Sequence, residues 1–266
     1  MSPFQHVRPW ALVASAMIAG LVGCSSTPKV DDDSAEKLYA EARDDLNAGS
    51  YDKAIKALER VEGRGAGTLL AQQAMLDLAY AQWRTSERVQ AISTLDRFIK
   101  LYPSSPAMDY ALYLKGAVNF NDNLGMLSAV SRQDLSERDQ QASRDAFQAF
   151  KQLVEQYPDS KYSADARLRM DYIVNSLAEY EVHVARYYYR RGAFLAAANR
   201  AQQAVRDYQQ APATEEALYI LAVSYDRLGL TQLRDDADRV LKGNFPSSRY
   251  LRDGVRVPER AWWQFW

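Results

Sequence analysis

Reactive side chains are scarce in this chain of 266 residues, which carries one cysteine and two histidines. A single cysteine leaves no partner for a disulfide and no second thiolate for a metal centre. Neither sign of charge is in excess: 33 lysines and arginines stand against 34 aspartates and glutamates, so no basic surplus invites nucleic acid. Phosphate-binding loops, Gly-x-Ser-x-Gly strings and metal-ligand spacings do not occur. Adjacent carboxylates such as Asp44-Asp45 and Asp235-Asp236 diverge by about 100° on a helix and make no acid–base pair. The inventory points away from an enzyme and calls for neither cofactor nor metal.

Long apolar runs are confined to one place. Arg8 precedes an apolar stretch, Trp10 to Leu21, too short to span a bilayer and shaped like a secretory signal. It ends in Leu21-Val22-Gly23-Cys24, which resembles the bacterial lipobox, where the cysteine thiol is acylated and the chain is cut before it. Cys24 is therefore the expected lipidation site, residues 1–23 the signal peptide and 24–33 a polar tether. Ser25 follows the cysteine; in similar lipoproteins an aspartate there favours the inner membrane, so serine favours the outer one. The expected location is the periplasmic face of the outer membrane, held by lipid.

The mature remainder repeats. Tyr102, Tyr157, Tyr208 and Phe245 each end a segment at a turn, and Ala91, Ala146 and Ala197 stand eleven residues before the first three. Ala54 precedes Ala91 by 37 residues, which sets a period of about 37, with one unit lengthened by an insertion near 121–142 and the next by a longer helix, 164–191. Small residues Ala42, Ala79, Gly116, Ala185 and Ala222 mark the first helix of each unit, where they let backbones approach. This pattern resembles the tetratricopeptide repeat. It predicts an all-α solenoid of five helix pairs over 34–250, divided into N-terminal repeats, 34–160, and C-terminal repeats, 161–250.

Projecting the first helices places Tyr39, Arg43, Leu76, Tyr80, Trp83, Tyr110, Tyr113 and Phe120 on one wall. Some of these can be ordinary packing between neighbouring helices. Taken together they suit an extended, apolar peptide, because aromatic rings give contact area at low entropy cost. His183 stands alone mid-helix and reads as structural. The segment 251–266 holds Trp262, Trp263, Phe265 and Trp266, and three uses stay open: a cap on the last repeat, a docking tail, or an interfacial membrane contact.

One resemblance goes beyond the repeat. Leu177-Ala-Glu-Tyr-Glu181, Val184-Ala-Arg-Tyr-Tyr188, Arg191-Gly-Ala-Phe194, Asn199-Arg200, Asp109-Tyr-Ala-Leu-Tyr-Leu-Lys-Gly116 and Asp134-x-Ser136-x-Arg138-Asp139 are similar to the BamD family, lipoprotein subunits of the outer-membrane β-barrel assembly (BAM) machine. The resemblance implies docking of the last POTRA domain of BamA through the C-terminal repeats, with Arg200, Arg191 and Asn199 at the contact. It also implies association with other BAM lipoproteins, and capture of the aromatic C-terminal signal of unfolded outer-membrane proteins by the N-terminal repeats. The glycine-rich stretch 63–68 departs from the family's aromatic-Pro-Phe-Gly turn and predicts a looser first junction. Two other classes compete: a lipoprotein adaptor for peptidoglycan hydrolases or cell-division proteins, and a cell-wall-binding or cell-wall-cleaving protein.

Overall fold

A computed structural model describes residues 34–120 and 140–254. The signal, Cys24, the tether, most of the insertion and the aromatic tail from residue 255 lie outside the described residues. Among the described residues there are eleven helices and no strand. They run as α1 (Ala35–Asn47), α2 (Tyr51–Arg64), α3 (Leu69–Arg84), α4 (Arg88–Leu101), α5 (Met108–Asn119), α6 (Gln140–Gln156), α7 (Ser163–Arg190), α8 (Phe194–Asp207), α9 (Thr214–Arg227), α10 (Thr231–Asn244) and the short α11 (Arg249–Asp253).

The first ten form five antiparallel pairs, and each odd-numbered helix also packs on the pair before it. Two recurrent turns make this possible. Within a pair the chain reverses through a residue of positive φ: Gly49, Ser86, Gly192 and Gly229. Gly49 and Ser86, like Gly192 and Gly229, are one 37-residue period apart, so the left-handed turn repeats with the sequence. Between pairs the carbonyl of the closing aromatic accepts the N–H three residues on: Tyr102 from Ser105, Tyr157 from Ser160, Tyr208 from Ala211 and Phe245 from Ser248, each at 3.0 Å.

The periodic small residues lie at the contacts between helices. Ala42, Ala54, Ala79, Ala91, Ala146, Ala185 and Ala197 are all fully buried. Gly116 is the tightest: a Cβ there would stand 2.4 Å from the ring of Phe150. The insertion is shorter than the sequence suggests, since residues 140–142 already belong to α6 and Ala142 is buried. The long helix spans 28 residues, one residue from its expected ends.

The glycine-rich junction is not loosened. Gly65 closes α2 by donating to the Val61 carbonyl, and Thr68 donates to the Gly65 carbonyl at 2.7 Å while accepting from the Ala71 N–H that starts α3. Leu58 and Val61 share one core cluster with Ala74 and Leu78 across it. A side-chain cap replaces the missing aromatic.

Candidate functional site

Two regions gather side chains that a partner could use. The first is a band of rings along the odd-numbered helices α1, α3, α5 and α7. Tyr39 donates its hydroxyl to Asp77 Oδ2 at 2.7 Å, Gln73 donates to Asp77 Oδ1 at 3.2 Å, and Arg43 stands 3.5 Å away. Burial and then the Asp77 bond push the Tyr39 hydroxyl up to about 12. Tyr80 packs edge-on against Tyr51 and Trp83, and Arg84 donates to its hydroxyl at 2.8 Å while lying over the Tyr51 ring. Tyr110, also raised to about 12 by burial and then by Asp77, packs on Tyr162 at the start of α7 with ring centroids 5.4 Å apart.

Farther along, Tyr113 stacks on Tyr162 with centroids 4.8 Å apart and donates to Asp165 Oδ2 at 2.8 Å. Burial raises the Asp165 carboxyl, but the bonds from Arg169 and Tyr113 outweigh it and leave it below its ordinary value. Phe120 meets Tyr172 edge to face, with the Arg169 guanidinium 4.9 Å over its ring. The band is therefore apolar with hydroxyl, carboxylate and guanidinium groups at intervals, a surface that can hold a peptide's rings and its backbone polar groups together.

Seven of the eight side chains expected on this wall are at least partly exposed. Leu76 is a correction. It is 1% exposed and belongs to the central core, because α3 is enclosed by neighbours on both sides and its apolar stripe is wider than one face. Sequence reasoning missed Asp77, Tyr162, Asp165, Arg169 and Tyr172. The Asp165/Arg169 spacing of four was the available signal; Asp77 gave none, since a lone acid on an apolar helix does not announce its partner.

The second region lies on α7, α8 and α9. Asn199 and Arg191 are exposed, with Arg191 over the Tyr187 ring at 5.5 Å. Arg200 behaves otherwise: its Nη1 stands 3.0 Å from Glu181 Oε2, a carboxylate only 2% exposed, while Arg200 itself stays 40% exposed. It first neutralises a buried acid of its own chain, and only the rest of its fork faces outward. Beside it, Arg186 grips Glu216 through two bonds of 2.5 and 2.6 Å, and Tyr250 donates to the same carboxylate at 2.9 Å. The bonds to Glu216 hold the Arg186 guanidinium above its ordinary value, while burial and then Arg186 lower that of Arg190. A cleft of about 410 Å³ opens here, lined in part by His183, Arg186, Glu216 and Tyr250.

Among the described residues no three His, Cys, Asp or Glu side chains are placed to hold a metal ion, and no helix is long and apolar enough to cross a membrane. Stacked helix pairs offering side-chain walls define a tetratricopeptide-repeat protein of the scaffold kind. Residues 31–241 match the family model YfiO, outer membrane lipoprotein, and the chain belongs to that family. A relative in Neisseria meningitidis serogroup B (strain ATCC BAA-335 / MC58), named outer membrane protein assembly factor BamD, is 44% identical over 262 residues, 96% of this chain and 98% of its own. Proteins of the same name from Haemophilus influenzae (strain ATCC 51907 / DSM 11121 / KW20 / Rd) and Vibrio cholerae serotype O1 (strain ATCC 39315 / El Tor Inaba N16961) are each 34% identical, covering 90% and 84% of this chain and 91% and 93% of theirs.

Proposed function

We propose that this chain is an outer-membrane protein assembly factor, a lipid-anchored scaffold without catalysis. Acylated Cys24 ties it to the periplasmic face of the outer membrane. The N-terminal repeats hold the aromatic C-terminal signal of unfolded outer-membrane proteins, and the C-terminal repeats dock the POTRA domain of BamA beside other BAM lipoproteins. The observation that carries the first role is a pair of ring clusters on this wall, Tyr51–Tyr80–Trp83 and Tyr110–Tyr162–Tyr113, the second continued through Phe150 to Phe120 and Tyr172. Aromatic surface with interspersed hydrogen-bonding groups matches a ligand whose alternate residues are rings.

The test is binding of a peptide with that aromatic C-terminal signal to the mature chain. Trp83→Ala with Tyr80→Ala is expected to weaken it at least tenfold, about 1.4 kcal/mol; unchanged affinity sinks the groove. For the second role, BamA is expected to co-purify with the wild type and less with Arg191→Glu. Arg200→Glu is a poor probe, because it sets a second carboxylate against buried Glu181. The paired change Glu181→Gln with Arg200→Gln removes the internal ion pair together and isolates the outward contact.

A further inference from the structure

The cations along the aromatic wall differ in what neutralises them. Arg43 stands 3.5 Å from Asp77, and Arg169 donates to Asp165 at 2.6 Å. Arg84, in the last turn of α3, is placed otherwise. Its guanidinium lies 5.0 Å over the Tyr51 ring and 5.8 Å over the Tyr80 ring, and one N–H reaches the Tyr80 hydroxyl at 2.8 Å. Among the described residues no carboxylate lies within ion-pair distance of it. The rings fix the plane of the fork and leave its other donors turned to solvent. Trp83 packs edge-on against Tyr80 beside it, with centroids 6.1 Å apart. Complementing the carbonyl end of α3 accounts for a positive charge here, but not for a cage of rings around it. The arginines at the ends of α7 and α9 each rest on one ring, Arg191 on Tyr187 and Arg227 on Phe194.

We infer that Arg84 takes the terminal carboxylate of the segment held in this groove, while Tyr51, Tyr80 and Trp83 hold its last ring. The inference rests on the N-terminal repeats binding an aromatic C-terminal segment, and it adds the group that reads the chain's end. A peptide that ends in an aromatic residue carries a ring and an anion on one residue, so its site must meet both at once. Arg84 and its rings supply the pair, because a guanidinium fork matches a carboxylate while its face stays stacked. A carboxylate shifted along the wall would meet Asp77 or Asp165, each already bonded to a tyrosine and facing an arginine. The end of the segment is therefore held at α3, and the rest runs toward Tyr110, Tyr113 and Phe120. Tyr110 feels the charges of Asp77 and Tyr80, which places the second ring cluster beside the first.

Fluorescence anisotropy of the mature chain tests this with a short labelled peptide of alternating aromatic residues ending in phenylalanine. The peptide is compared as free acid and as C-terminal amide. Wild type is expected to bind the acid roughly threefold to tenfold tighter at low salt, the gap closing as salt screens the exposed pair. Arg84→Gln, a change at an exposed side chain, is expected to bind the two forms equally. Lys161→Gln removes a cation 4.9 Å over Tyr162, farther along the wall, and is expected to keep the preference for the acid. Equal binding of acid and amide by wild type overturns the inference. So does a preference that persists in Arg84→Gln or disappears in Lys161→Gln. In each of these cases the groove itself stands if Trp83→Ala with Tyr80→Ala still weakens the amide. If that double change leaves the amide unaffected, the segment binds elsewhere, and the assignment of Arg84 falls together with the groove.

Discussion

The two halves of the solenoid solve the same packing problem with different side chains. The central core, reaching from α3 to α7, is filled with Leu, Met and Phe and flanked by half-buried tyrosines. In the core of α7 to α10, eight of eleven buried residues are alanine. Small side chains bring helices close but remove little apolar area from water, since burial contributes about 25 cal/mol per Å². The C-terminal half compensates with charge: Glu181 and Glu216 are buried and each is held by an arginine from a neighbouring helix. The N-terminal half is thus set by shape and the C-terminal half by pairing, which predicts different failures.

The largest effect is expected in the N-terminal half. Phe150 is fully buried between α5 and α6, so Phe150→Ala opens a cavity worth about 3–5 kcal/mol, measured as a fall in denaturation midpoint with unchanged slope. An equal loss from Ala201→Gly on α8, where almost no volume is removed, would erase the distinction between the halves.

Arg186→Ala comes next. It leaves Glu216, 9% exposed, with only the Tyr250 hydroxyl. Breaking a fully buried pair costs about 3–5 kcal/mol; Arg186 keeps 30% of its surface, so about 2–3 kcal/mol is expected. Glu216→Gln in the Arg186→Met background should recover most of it, because no orphaned charge then remains. If the single and double changes are equally destabilising, packing and not pairing governs this half.

The reach of the sequence follows the same division. Small residues recurring every 37 positions revealed the helix pairs, because a repeat spacing survives without knowledge of what lies opposite. Gly116 is the clearest instance: it was readable as a close approach, and Phe150 is what approaches. Rings on the first helices were legible as a wall for the same reason. What stayed hidden is pairing across sequence distance. Nothing near Arg200 says that Glu181, nineteen residues away, is its partner, and nothing near Asp77 points to Tyr39. Leu76 misled because a helix period assigns a face and cannot tell a free face from one enclosed by later helices.

Gly116→Ala sets two effects against each other. Alanine is the better helix former by about 0.8–1 kcal/mol. Its Cβ, however, would stand 2.4 Å from a fully buried ring that cannot swing away, and overpacking costs about 1–3 kcal/mol. The clash wins, with net destabilisation of about 1 kcal/mol by chemical denaturation. Phe150→Leu should make Gly116→Ala tolerable relative to Phe150→Leu alone. Persistent harm would show that the helices, not the ring, meet there.

Asp165, at the start of α7 where the central core meets the C-terminal repeats, gives the smallest and most specific effect. Its folded-state value lies below the ordinary 3.8, so the stability it contributes is present above that value. It is lost as pH falls through the folded-state value. Asp165 keeps 47% of its side-chain surface, so screening holds the contribution below about 1 kcal/mol. Asp165→Asn should therefore flatten the acid limb of the stability curve below pH 4 by a few tenths of a kcal/mol. An acid limb of identical slope in wild type and Asp165→Asn would mean that Tyr113 and Arg169 meet Asp165 without favouring its charged form, leaving ring stacking on Tyr162 as the contact that joins α5 to α7.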